Sequence, residues 1–159
     1  MNILTFDIEE WFHCDFISGD EEWSEKEVRI HKNTDFILET LLKYNRKGSF
    51  FILGWIAEKY PEIVNKIRNE GHEIGCHSMK HQLVHRFTPK EFKNDTYKAL
   101  EITEQILGEK IIMYRAPAFS ITKDTPWAFE ILFELEIDLI ETRYFLAIVE
   151  RFSPNFTLW

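Results

Sequence analysis

Short apolar runs alternate in this chain with stretches of helical period, and that alternation limits the fold more than any other feature. The runs fall at residues 2–7 (NILTFD), 47–53 (KGSFFIL), up to Cys76, at 111–114 and at 138–141. Each is too short for a helix and rich in strand formers. The first intervening helix is expected to be capped by Asn33 or Thr34. Its apolar face would be Phe36, Ile37, Leu41 and Leu42, and it would end near Asn45. A second helix spans 54–69, burying Ile56, Ala57, Ile63, Val64 and Ile67, with a kink or restart at Pro61 and Gly71 just past its end. Thr88, Pro89 and Glu91 open a third helix as N-cap, first-turn proline and capping-box acid, and Gly108 stops it. A fourth is expected over 122–135. Strands separated by helices imply parallel pairing through right-handed crossovers, an α/β fold in a single domain over residues 1–159.

In such folds the chemistry gathers at the carboxyl ends of the strands. The polar residues there are Asp7, Glu9 and Glu10 after the first strand, His77 and His81 after the third, and Arg115 after the fourth. His77 and His81 are four apart. An extended chain would separate them by about 13 Å, too far for one ion. A helical turn beginning near His77 would put them on one face, and Ser78 can cap it. Two histidines with one carboxylate leave an open position on a metal, and a second carboxylate can act as general base. The residues alone leave open which of Asp7 and Glu9 takes which part. Arg115 is expected to hold a carboxylate. His85 is a rival ligand ranked below Glu9, and His13 and His72 read as structural.

Charge and motifs narrow the function further. A net charge of -8 disfavours a nucleic-acid binder, which needs a basic face. Two cysteines, Cys14 and Cys76, make no disulfide framework. No signal peptide and no run of 18 apolar residues is visible, so a cytoplasmic location is expected. Fourteen Phe and five Trp are enough both to fill a core and to line a sugar cleft. Phosphate loops, dinucleotide fingerprints and nucleophile elbows are missing, and metal-assisted hydrolysis uses most of what is present.

Three stretches, TFDIEEWFH, GHEIGCHSMKHQLVHRFTP and YRAPAFSIT, resemble the signatures of polysaccharide deacetylases with the NodB homology domain, carbohydrate esterase family 4. The branch resembled is the one associated with exopolysaccharide and exosortase loci. The resemblance covers residues 2–135. It implies a distorted (β/α) barrel that removes N-acetyl groups from amino sugars, with a divalent metal, zinc first and cobalt or nickel as alternatives. It implies Asp7 as catalytic base, His77 and His81 as metal ligands, Arg115 as the group orienting the base, and the Ala118 N–H as an oxyanion donor. The commoner family pattern has adjacent aspartates. Here Ile8 follows Asp7, and the branch pattern makes Glu9 the third ligand.

After residue 135 the family pattern is no longer recognisable. Five strands at most are expected, fewer than the family barrel has, so the domain reads as incomplete at its C-terminal end and no general acid is assigned. Exposed strand edges would then favour oligomerisation. Besides a deacetylase acting on an N-acetylated carbohydrate, two readings stand. One is a truncated chain that binds metal or sugar without turnover. The other is an amidase acting on a cyclic amide or ureide.

Overall fold

The computed structural model describes residues 3–13, 23, 25–141 and 146–148. The expected start of the first strand at residue 2, the acidic loop over 14–22, Cys14 and the chain beyond 148 lie outside them. The elements are β1 (Thr5–Ile8), α1 (Ile30–Lys43), β2 (Ser49–Ile52), α2 (Gly54–Lys59), α3 (Pro61–Asn69), β3 (Glu73–Cys76), α4 (Pro89–Leu107), β4 (Met113–Arg115), α5 (Trp127–Glu134), β5 (Leu139–Glu141) and β6 (Leu146–Ile148). The strands form one sheet in chain order, β1 to β6. The first five are parallel and β6 runs antiparallel to β5. The sequence reading allowed five strands at most; β6 makes six. It escaped because nothing in a three-residue LAI segment distinguishes a strand from a loop without its partner.

Parallel strands in chain order, joined by right-handed crossovers, put their helices on one face. The register shows the result. Phe6 and Ile8, Phe50 and Ile52, Ile74 and Cys76, Tyr114 and Ile140 share one face, and those that are buried pack against Ile56, Val64, Ile67, Leu100 and Leu132 of the helices. The opposite face alternates with it. It carries Thr5 and Asp7, Ser49 and Phe51, Glu73 and Gly75, Met113 and Arg115, Leu139 and Glu141. This side has the polar residues, as the inner face of a (β/α) barrel sector does.

Local chemistry explains most element ends. Thr88 Oγ1 accepts from the Glu91 N–H while Glu91 accepts from the Thr88 N–H, so α4 starts on a complete capping box and ends at Gly108 with φ 70°. Pro61 restarts the helix, giving α2 and α3 rather than a single kinked rod. Two expectations need correction. Helix α1 begins at Ile30, not after Asn33, because the Glu10 carboxylate accepts from the N–H groups of Arg29 (2.5 Å) and Ile30 (2.7 Å). Its buried face is then Ile30, Thr34, Leu38 and Leu41, while Phe36 and Leu42 are 69% and 73% exposed. The last helix starts at Trp127, since Thr122–Thr125 is spent on a turn closed by the Thr122 N–H to Thr125 Oγ1 at 2.9 Å. Cys76 is a free, buried thiol, raised well above its usual range by burial. No helix among the described residues is long and apolar enough to cross a membrane.

Candidate metal centre

Strand β3 ends at Cys76, and the His77 N–H still donates to the Ile52 carbonyl at 2.9 Å. The chain then turns, though not as a helix. Ser78 and His81 adopt φ 68° and 58°, and the Ser78 hydroxyl accepts from the His81 N–H at 3.1 Å. The expected helical turn is therefore an irregular one, with Ser78 closing it. Two neighbours fix it from outside. The first N–H groups of α2, from Gly54 and Trp55, donate to the carbonyls of Ser78 (2.8 Å) and Met79 (3.0 Å). Asp95 on α4 accepts from the Met79 N–H at 2.9 Å. The imidazoles end with ring centroids 5.2 Å apart.

Glu9 arrives from the other side, just past β1. One ligand atom each from Glu9, His77 and His81 lies within 4.8 Å of the others. Glu9 Oε2 is 2.8 Å from His81 Nε2 and 3.8 Å from His77 Nε2. His77 Nδ1 lies 2.8 Å from the Arg115 carbonyl. A carbonyl only accepts, so Nδ1 carries the proton and Nε2 presents its lone pair to the carboxylates. Burial holds the His77 imidazole below its usual pKa despite the charges of Asp7 and Glu9. Burial would raise Glu9, but the hydrogen bond and charge of His81, with the charges of His77 and His13, outweigh it and leave the carboxyl low. Two imidazole nitrogens and an ionised carboxylate at this spacing form the donor set a divalent transition metal takes, so the residues fit such an ion.

Asp7 stands beside the cluster. Its Oδ1 accepts from Arg115 Nη1, and its Oδ2 lies 3.9 Å from His77 Nε2. Arg115 is buried, with its Cζ 4.2 Å from the centre of the Phe51 ring. Gly75 permits that stack: a Cβ there would meet the Phe51 ring at 2.6 Å. The Arg115 loop is strained as well, with Ala118 and Phe119 at φ 47° and 51°. Ala118 is exposed. Positive φ at four non-glycine residues in the two loops carrying His81 and Arg115 marks a local geometry that the surrounding contacts impose.

The structure thus brings Asp7, Glu9, His77, His81 and Arg115 together. His85 is exposed and outside the three-residue cluster. His72 takes a structural place, accepting from the Gly48 N–H at 3.3 Å. His13 is buried against Phe12, Trp23 and Trp55, its Nδ1 accepting from the Glu10 N–H at 2.9 Å. Sequence reasoning passed over Phe51, Gly75, Asp95 and Glu141. Only the placement of Glu141 at a strand end could have flagged it.

A family model for polysaccharide deacetylases matches residues 3–132. The chain belongs to the polysaccharide deacetylase family. Among curated members of this family it is 38% identical to a peptidoglycan-N-acetylglucosamine deacetylase of Bacillus cereus over 98 residues, 61% of this chain and 36% of that protein. It is 36% identical to the peptidoglycan-N-acetylmuramic acid deacetylase PdaC of Bacillus subtilis over 84 residues, 53% of this chain and 18% of that one. The solved structure of PdaC superposes with a TM-score of 0.65 at 27% identity, covering 87% of this chain and 56% of the other. A CE4 family pseudoenzyme from Bacillus anthracis shares the fold, with a TM-score of 0.66 at 18% identity, covering 87% of this chain and 42% of that one. The chain spans about a third or less of these two curated relatives and about half of these solved chains.

Proposed function

We propose that this chain carries the metal-binding side of a hydrolase that removes N-acetyl groups from amino sugars of a polysaccharide. The observation that carries the reading is the Glu9, His77 and His81 cluster, with ligand atoms within 4.8 Å, standing beside a carboxylate already bonded to a buried arginine. The similarity to a peptidoglycan-N-acetylglucosamine deacetylase and a peptidoglycan-N-acetylmuramic acid deacetylase supports the substrate class. The form of the first motif, with Ile8 and Glu9 after Asp7, supports placement in the exopolysaccharide-associated branch.

Glu9, His77 and His81 would hold a divalent ion, zinc first by the two nitrogens and one carboxylate they offer, with cobalt or nickel as alternatives. When bound, the ion supplies a Lewis acid for the amide carbonyl and lowers the pKa of a nearby water. Asp7 is the proton acceptor: Arg115 occupies its Oδ1, and Oδ2 is left on the cluster side. Arg115 fixes the orientation of that carboxylate. The N–H of Ala118, on its left-handed turn, is the proposed donor to the developing oxyanion.

Acetate release from an N-acetylated glucosamine oligomer, with zinc added, tests the reading. Asp7→Asn should lower the rate by about 100-fold or more, the usual contribution of a positioned base. Undiminished release by that variant would contradict it. A second reading is a chain without turnover, since a CE4 family pseudoenzyme shares this fold. A wild-type chain that binds one ion and releases no acetate would select it.

A further inference from the structure

Arg115 has two carboxylates, one more than its place in the sequence suggests. Glu141 ends β5, directly across the ladder from Arg115. Its Oε2 accepts from Arg115 Nε at 3.1 Å and also from Nη2. Nη2 donates to Thr5 Oγ1 as well, at 2.6 Å. Only Nη1 is turned to Asp7. The guanidinium is a planar fork, so fixing one edge fixes the direction of the remaining nitrogen. Phe51 lies 4.2 Å below its Cζ and Phe119 5.6 Å away, and the residue is 4% exposed.

We propose that Glu141 is a positioning residue of this site. It holds the Nε–Nη2 edge of Arg115, with Thr5 as second anchor, and the contact between Nη1 and Asp7 follows from that hold. The same carboxylate balances the arginine's charge, so that Asp7, Glu9 and Glu141 together leave the site anionic around one guanidinium, which suits a cation. The inference rests on the deacetylase reading only for its turnover arm.

Side-chain 15N NMR of the arginine N–H groups tests it without catalysis. Wild type should show Arg115 Nε–H and Nη–H signals protected from solvent exchange. Asp7→Ala should leave Nε–H and Nη2–H protected. Glu141→Ala should expose all of them, including Nη1–H, which Glu141 does not touch. Glu141→Asp should restore Nη1–H protection. If the alanine variant does not fold, Glu141→Gln should show the same losses to a smaller extent. Protection of Nη1–H that survives in a folded Glu141→Ala or Glu141→Gln variant would overturn the proposal.

In acetate release, Glu141→Ala should lower kcat about 10- to 100-fold, the scale of a misplaced supporting group, with KM changed less than about threefold and Glu141→Asp recovering most of the loss. An unchanged kcat would also overturn it. A wild-type chain releasing no acetate would remove the deacetylase reading and leave the NMR result to decide the role of Glu141.

Discussion

His13 lies four positions beyond Glu9 and shows how tightly the residues around the cluster are committed. Burial pushes its imidazole down to about 3, and the Glu10 N–H fixes Nδ1 as the acceptor. Between about pH 6.5 and pH 3 the unfolded chain binds a proton at His13 that the folded chain does not, so stability falls as pH falls through that window. The contribution is on the order of 5 kcal/mol across it. Denaturant unfolding at pH 7 and pH 4 should show His13→Gln losing less stability on acidification than wild type; equal losses would refute the assignment. Gly75 makes a second point at this scale. Gly75→Ala drives a Cβ into the Phe51 ring and should cost roughly 1–3 kcal/mol by overpacking, read from the same unfolding curves. That Asp7, Glu9, His77, His81 and Arg115 would gather was legible because each lies at or just past a strand end. The part played by Gly75 was not, because the Phe51 ring lies in another strand 24 residues away, and Glu141 showed only its place at a strand end, its guanidinium partner lying 26 residues away.

The third expected helix, read from local signals, matched the structure, whereas the first, set by a distant contact, did not. Helix α4 carries its capping box and stop glycine within its own sequence, and its bounds follow from them. Thr88→Ala should cost about 1 kcal/mol in thermal or denaturant unfolding. Helix α1 starts where Glu10, 20 residues upstream, reaches its first N–H groups, so neither its start nor its buried face could be read from its own residues. Glu10→Ala leaves two donors, the Ile30 N–H among them buried, without that acceptor and should cost roughly 1–3 kcal/mol, whereas Glu10→Gln keeps an acceptor and should cost less. The turn between His77 and His81 belongs to the same class. Its closure was foreseeable from the metal reading, while its irregular form depends on α2 and Asp95.

At the scale of the molecule, the α/β class and the parallel pairing followed from the alternation of runs, and β6 lay beyond that pattern. Strands β1 and β6 are the edges of the sheet as described, and Ile3 and Leu4, ahead of β1, are 65% and 42% exposed. An edge bordered by apolar side chains invites pairing with another chain. Light scattering coupled to size exclusion should show concentration-dependent self-association, reduced by Leu4→Lys; a monomer at all concentrations would exclude it. Three residues from two distant stretches are proposed to hold one ion. Equilibrium dialysis against zinc, with metal content measured per chain, tests this most directly. Wild type should retain one equivalent, and folded Glu9→Ala, His77→Ala and His81→Ala variants should each retain far less. A full equivalent retained by the His77→Ala or Glu9→Ala variant would contradict the account.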